Sequence, residues 1–296
     1  MMDAAVQPAL DLSRLGEIET WQAFAPHLHI GDPGLLPNAR FFGLAEQQSA
    51  AARAQITQEG HFQICNLNWG LDIARMVETV RALTRAGVSP AFAFIYDEYW
   101  IPFRRLDPII KSLLGPYALV PDFWAWDVDA ARGESGWAPH RDRGAVSLFA
   151  DGSPKSLTVW IPLTPATPLS SCMYVVPRGA DPTYATSDEA EHRFLPQGIR
   201  ALPALPGDVL IWNQAVLHWG SQASTLAAES RISIAAQFQR LDQPPMREPL
   251  LDPARVMPFE TRLKLIVAQV MGYRNLYAVP PAIEKFALGL IGHLVQ

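Results

Sequence analysis

From Tyr117 to Arg240 the chain breaks into short strand-like segments separated by turns, and this pattern limits the fold more than any other feature. Trp124, Trp126 and Val128 fall on one side of a two-residue period, and Asp127 and Asp129 on the other. Further segments are Leu157–Leu163, Met173–Val176, Ile199–Leu202, Val209–Trp212, Val216–Trp219 and Arg231–Arg240. Between them lies turn chemistry such as Asp151-Gly152-Ser153-Pro154 and Pro206-Gly207-Asp208. Rows of short strands joined by such turns pack as two sheets, in a sandwich or a jelly roll. The alternation of strand and helix that a nucleotide-binding α/β fold needs is missing from this half.

Helical spacing frames that region. Leu12, Leu15, Ile18 and Trp21 recur at helical intervals, a Pro/Gly-rich break runs from Pro26 to Pro37, and a second helix is predicted over about Leu44–Thr57. His61–Leu67 alternates as a strand, and Leu71–Ala86 reads as a helix stopped by Gly87. Pro90–Tyr96 reads as a short aromatic strand and Tyr99–Leu114 as one helix ended by Gly115-Pro116. Helices return over about Pro258–Asn275 and from Ala282 to the terminus. Their broad apolar faces suit core packing or contact with a second copy, so a homo-oligomer is a possible state. The expectation is one domain over residues 1–296, mainly β with flanking helices. A double-stranded β-helix core, a cupin-like jelly roll, would occupy 90–241, between a mixed helical scaffold over about 1–89 and helices over 242–296.

Composition adds exclusions. With 296 residues, 49% hydrophobic and 18% charged, the chain can bury a substantial core. Its net charge of -5 comes from interspersed acids and bases with no basic stripe, so nucleic acid is not an expected partner. Cys65 and Cys172 both sit in apolar sequence and read as buried thiols in a reducing compartment. No apolar run has the length of a membrane span, and residues 1–10 lack the order of a secretory leader. A cytoplasmic protein with no membrane partner is expected. There is no P-loop and no nucleophile elbow, since Gly133-Glu134-Ser135-Gly136 has the wrong spacing. His27 and His29 alternate beside Gly31-Asp32-Pro33 with no acid or cysteine spaced nearby, and read as a solvated loop.

The chemistry concentrates in three places. His140-Arg141-Asp142 sets an imidazole and a carboxylate two residues apart, on one face if the stretch is extended. His218 follows the Pro206-Gly207-Asp208 turn with apolar neighbours, as a metal ligand or as a satisfied core histidine. Two histidines and one carboxylate hold a divalent metal with positions left open. Arg231 and Ser233 then share one face of an otherwise apolar strand. A buried guanidinium there calls for an anion, either an acidic small molecule or a protein acid such as Asp208 or Glu229.

His-x-Asp, a distant His and an Arg one strand beyond resemble the pattern of the phytanoyl-CoA dioxygenase-like branch of the Fe(II)/2-oxoglutarate oxygenases, over roughly residues 90–241. Ser156-Leu157-Thr158-Val159-Trp160-Ile161-Pro162-Leu163 and Pro206-Gly207-Asp208-Val209-Leu210 are similar to further segments of that family. Ser170-Ser171-Cys172-Met173 and Pro177-Arg178-Gly179-Ala180-Asp181 depart from it, in a loop that bears on the substrate.

The resemblance implies that His140, Asp142 and His218 are catalytic ligands of Fe(II), and that 2-oxoglutarate and O2 are co-substrates. Arg231 and Ser233 would hold the far carboxylate of 2-oxoglutarate, with Thr158 or Trp160 completing that pocket. A small molecule would be hydroxylated with release of succinate and CO2, and Asp142 would leave no vacancy for a halide. Trp137, Arg143, Arg178 and Trp219 are candidates for touching the substrate, whereas Trp124, Trp126 and Trp212 read as core. Two other readings stay open: a cupin-like metal enzyme that uses no 2-oxo acid, and a non-catalytic metal- or ligand-binding module.

Overall fold

The computed structural model describes residues 9–35, 40–275 and 278–292, which cluster into two compact units. The end of the Pro26–Pro37 break, residues 1–8 and the final helix beyond 292 lie outside the described residues.

The first unit comprises Met1–Ala39, Leu71–Arg104 and Ala254–Gln296. Its helices are α1 (Ile18–Phe24), α3 (Ile73–Arg85), α4 (Ile101–Arg105, the last residue beyond the unit), α6 (Phe259–Gly272) and α7 (Pro281–Gly292), numbered with α2 and α5 of the second unit. Asp72 caps α3 by accepting from Arg75 N at 3.1 Å, and Gly87 ends that helix region at φ +70°. Pro90–Ile95 is a buried 3-10 turn, not the expected strand. Ser89 and Pro90 start it as a cap and a preset φ do, and burial on every side hides its period. Two aromatic hydroxyls anchor this region, Tyr96 to Trp21 O at 2.8 Å and Tyr99 to Met76 O at 2.6 Å. His29 is not merely solvated, because its Nδ1 meets Glu98 at 2.6 Å.

The second unit, Arg40–Gly70 and Arg105–Pro253, carries α2 (Glu46–Gln58), α5 (Asp107–Leu114) and all the strands among the described residues. Where one helix is expected over Tyr99–Leu114, a 3-10 turn, α4 and α5 follow one another. Pro108 sits in the first turn of α5, where its ring prevents a helix from running through. The strands are β1 (His61–Ile64), β2 (Tyr117–Val128), β3 (Ser156–Pro162), β4 (Met173–Val176), β5 (Arg200–Leu202), β6 (Val209–Asn213), β7 (Leu217–Gly220) and β8 (Arg231–Arg240). They pair antiparallel as a five-stranded sheet β1-β6-β3-β8-β2 and a three-stranded sheet β5-β4-β7. The larger sheet takes in β1, upstream of the 90–241 stretch. Cys65, just beyond β1, is exposed, while Cys172 is buried.

Trp160, Leu210, Trp212 and Ala235 of the larger sheet pack with Met173 and Leu202 of the smaller one, so the core lies between the sheets as in a jelly roll. Register aligns the inward residues into rows, since directly paired residues share a face. One row is Trp212–Thr158–Gln237, the next Leu210–Trp160–Ala235–Trp124, the next Pro162–Ser233–Trp126. β2 breaks register between Val120 and Phe123. Pro121 is tolerated there because β2 ends the sheet.

Candidate metal centre

His140 and His218 are joined by backbone hydrogen bonds in both directions, each 3.0 Å. Reciprocal bonding is the hydrogen-bonded pair of an antiparallel ladder, so both side chains leave on the same side, with ring centroids 4.4 Å apart. His140 Nδ1 lies 2.7 Å from Ala138 O and His218 Nδ1 lies 3.1 Å from Val216 O. Each carbonyl takes the Nδ1 proton and leaves the Nε2 lone pair to face Asp142 Oδ1, at 3.6 and 3.7 Å. The stretch is not a full strand: only His140 bridges, and Asp142 sits in a bend where Arg143 N and Gly144 N both donate to Gln214 O, at 2.9 and 3.0 Å.

The second oxygen of Asp142 is occupied. Oδ2 accepts from Thr158 Oγ1 at 2.6 Å and from Trp212 Nε1 at 3.0 Å. Gln214 Nε2 donates to Thr158 Oγ1 at 3.2 Å and thereby aims the threonine proton at Asp142. Burial alone raises the Asp142 carboxyl, but the imidazoles of His218 and His140 and the Thr158 hydroxyl hold it well below the usual carboxylate range. His218 is pushed down to about 4, chiefly by burial, and is a neutral lone-pair donor at neutral pH.

Three ligand atoms, one from each of these residues, lie within 4.8 Å of one another. His140 Nε2 is buried with no hydrogen-bond partner, as a lone pair reserved for a metal is. The donor set of two imidazoles and a carboxylate fits iron(II).

One cavity is lined by His140, Asp142, His218, Thr158, Trp160 and Arg231. Arg231 is 2% exposed, donates to Ser233 Oγ at 2.9 Å, and lies with its guanidinium carbon 5.6 Å from the Trp160 ring centre. Asp208 is engaged elsewhere, by Leu205 N at 2.9 Å and Asn66 N at 3.0 Å. Two glycines make room for Arg231. A Cβ on Gly220 would meet Gly136 Cα at 2.8 Å and the guanidinium at 3.4 Å. Trp137 lines the same cavity with its ring 5.4 Å from that of His140.

Three expected substrate residues are placed elsewhere. Trp219 follows His218 on β7 and so faces the other way, stacked on Tyr174 and Phe194. Arg178 donates to Thr57 O at 2.9 Å and lines a separate depression with Gly152 and Tyr184. Arg143 does not line the cavity and meets it only through Gln237, at 3.2 Å. Sequence reasoning missed Asp122, Met173, Gln237 and the Gln214 relay, and took Trp124, Trp126 and Trp212 for core alone, although all three line the cavity. Strand alternation marked Trp124 and Trp126 as facing together, but which way they face depends on the pairing of β2 with β8.

A family model for Phytanoyl-CoA dioxygenase (PhyH) matches residues 74–232, more than half of the chain. No curated protein matches. Solved structures with a similar fold include the non-heme monooxygenase ThoJ in its apo form, with a TM-score of 0.52 and 15% identity over 82% of this chain and 99% of that one. The epimerase SnoN in complex with Fe3+, alpha ketoglutarate and nogalamycin RO has a TM-score of 0.50 and 18% identity over 72% and 96%. EctD from S. alaskensis, in its apoform, has a TM-score of 0.50 and 14% identity over 75% and 92%. With its antiparallel sheets, its cluster of two histidines and an aspartate, and this match, the chain belongs to the phytanoyl-CoA dioxygenase family, whose enzymes work with iron, 2-oxoglutarate and O2.

Proposed function

We propose that this oxygenase hydroxylates a small molecule, with His140, Asp142 and His218 as the protein ligands of iron. The observation that carries the reading is convergence: two imidazole Nε2 atoms and Asp142 Oδ1 face one point in a cavity that also holds a buried arginine. When bound, iron with 2-oxoglutarate and O2 supplies the oxidation, as 2-oxoglutarate is converted to succinate and CO2.

The chain's own groups supply position and charge. Arg231 offers its planar donor fork to the far carboxylate of 2-oxoglutarate, with the Ser233 hydroxyl holding the guanidinium in place. Trp160 carries a buried indole N–H with no acceptor and adds a second donor there. Thr158 serves the metal side, because its proton is committed to Asp142. Asp142 occupies a protein position that would otherwise be vacant for a halide, which favours hydroxylation. Trp137, Trp124, Trp126 and Met173 present an apolar, aromatic wall, so the substrate has an apolar face.

Anaerobic addition of Fe(II) and 2-oxoglutarate to the purified protein is expected to give the weak visible charge-transfer band of the chelate. Its absence in folded protein would sink the proposal. Arg231→Leu is expected to weaken 2-oxoglutarate binding far more than iron binding, and an equal loss of both would leave Arg231 a structural role only.

A further inference from the structure

Arg141 lies between two of the proposed ligands in sequence, yet its side chain is buried on another surface. Its guanidinium is 2.7 Å from the Asp181 carboxylate, with the two side chains 4% and 0% exposed. Nη1 donates to Ala215 O at 2.7 Å, Nη2 to Thr183 Oγ1 at 3.0 Å and Nε to Glu189 O at 3.2 Å. Asp181 is itself held, accepting from Thr183 N and Thr183 Oγ1 at 3.0 Å each.

The same segment grips the chain on the far side of Asp142. Glu189 Oε2 accepts from Ala145 N at 2.8 Å, and any Cβ on Gly144 would collide with the Glu189 carboxylate. Residues 181–189 contain no strand and consist of turns with the start of a 3-10 element. An irregular stretch thus clamps the ligand-bearing chain both before and after Asp142.

A buried ion pair is weak evidence for stability, since apolar residues of similar volume often do as well. What it supplies here is direction. Around His140 the chain is extended enough to pair with His218, and successive side chains there leave on opposite sides. With the Arg141 fork fixed on one side and Ala145 N held by Glu189, the backbone that carries His140 and Asp142 is tied down at both ends.

We propose that Arg141 and Asp181 are positioning residues of the metal centre, which hold the His140–Asp142 separation through the backbone they share with the 181–189 segment. The inference rests on the reading of His140, Asp142 and His218 as ligands. Partners beyond the direct ligands change metal affinity by about 10–100-fold when removed.

The test uses the full chain stripped of metal and titrated with Co(II), followed by its visible absorption, alongside thermal unfolding. Arg141→Met and Asp181→Asn each leave one buried charge alone, so both are expected to lower the unfolding midpoint and to weaken Co(II) binding by about 10–100-fold. The double variant, Arg141→Met with Asp181→Asn, removes both charges and keeps the acceptor for Thr183. It is expected to recover part of the midpoint, since the carbonyls of Ala215 and Glu189 still lack their donor, but none of the Co(II) affinity. Recovery of both together would mean the pair is merely structural and would overturn the proposal. Arg141→Lys keeps the charge but loses the fork, and decides the matter if the double variant does not fold: weakened Co(II) binding in a protein of normal midpoint supports positioning, and unchanged binding overturns it. Equal Co(II) binding by the wild type and His218→Ala would overturn the ligand reading itself, and this inference with it.

Discussion

Residue types announced most of the candidate metal centre, and residue directions did not. His140, Asp142 and His218 were legible because a carboxylate beside an imidazole, with another imidazole on a later strand, is a recognisable donor set. Arg231 was legible as a cation on an apolar strand. Trp219 was misplaced although alternation from His218 already turned it away, and Arg178 because nearness in sequence says nothing of Thr57, which holds it. Two substitutions follow from the geometry. Thr158→Val deletes the hydroxyl that orients Asp142 and is expected to weaken Fe(II) binding by about 10–100-fold in titration. Gly220→Ala puts a methyl group against the Gly136 backbone and the Arg231 guanidinium, so the two chains must part, and is expected to raise the Kd for 2-oxoglutarate more than that for the metal. Calorimetry of both ligands checks the difference.

Elements were legible where turn residues set their ends, as around the largely buried β4 and β8, and obscure where burial left no period to read. β4 and β8 fall on their expected bounds, Met173–Val176 and Arg231–Arg240. Pro90–Ile95 shows the opposite case, because residues 91–95 are all buried and no period marks it as strand or helix. Its anchor was equally hidden. Arg262 of α6 is 1% exposed; it pairs with Asp97, donates to Ile95 O at 2.8 Å, and so fastens this turn to α6. Asp97 also accepts from Gly31 N and Asp32 N, at 3.1 and 2.8 Å. Arg262→Met leaves a buried carboxylate without its cation and is expected to cost about 3–5 kcal/mol of stability. Denaturant unfolding measures it.

At the scale of the molecule, short strands and turns were enough to name a jelly roll, but not the order β1-β6-β3-β8-β2. That order depends on pairings between residues far apart in sequence, such as His61 with Trp212, which no local pattern records. No helix among the described residues is long and apolar enough to cross a membrane. A metal held only by the folded second unit stabilises that unit by mass action, about 2.7 kcal/mol at 100 times its Kd. Chelation is therefore expected to lower the thermal midpoint, Ni(II) or Co(II) to restore it, and His218→Ala to abolish the response. With the proposed ligands, the bridge between His140 and His218 would govern how such an ion comes and goes. Because main-chain bonds bring the two imidazoles together, the entropy of closing the long loop between them is lost during folding and not during ion capture. The proposed centre would therefore be a socket formed before its occupant arrives, from which an ion could be exchanged without the chain around it coming apart.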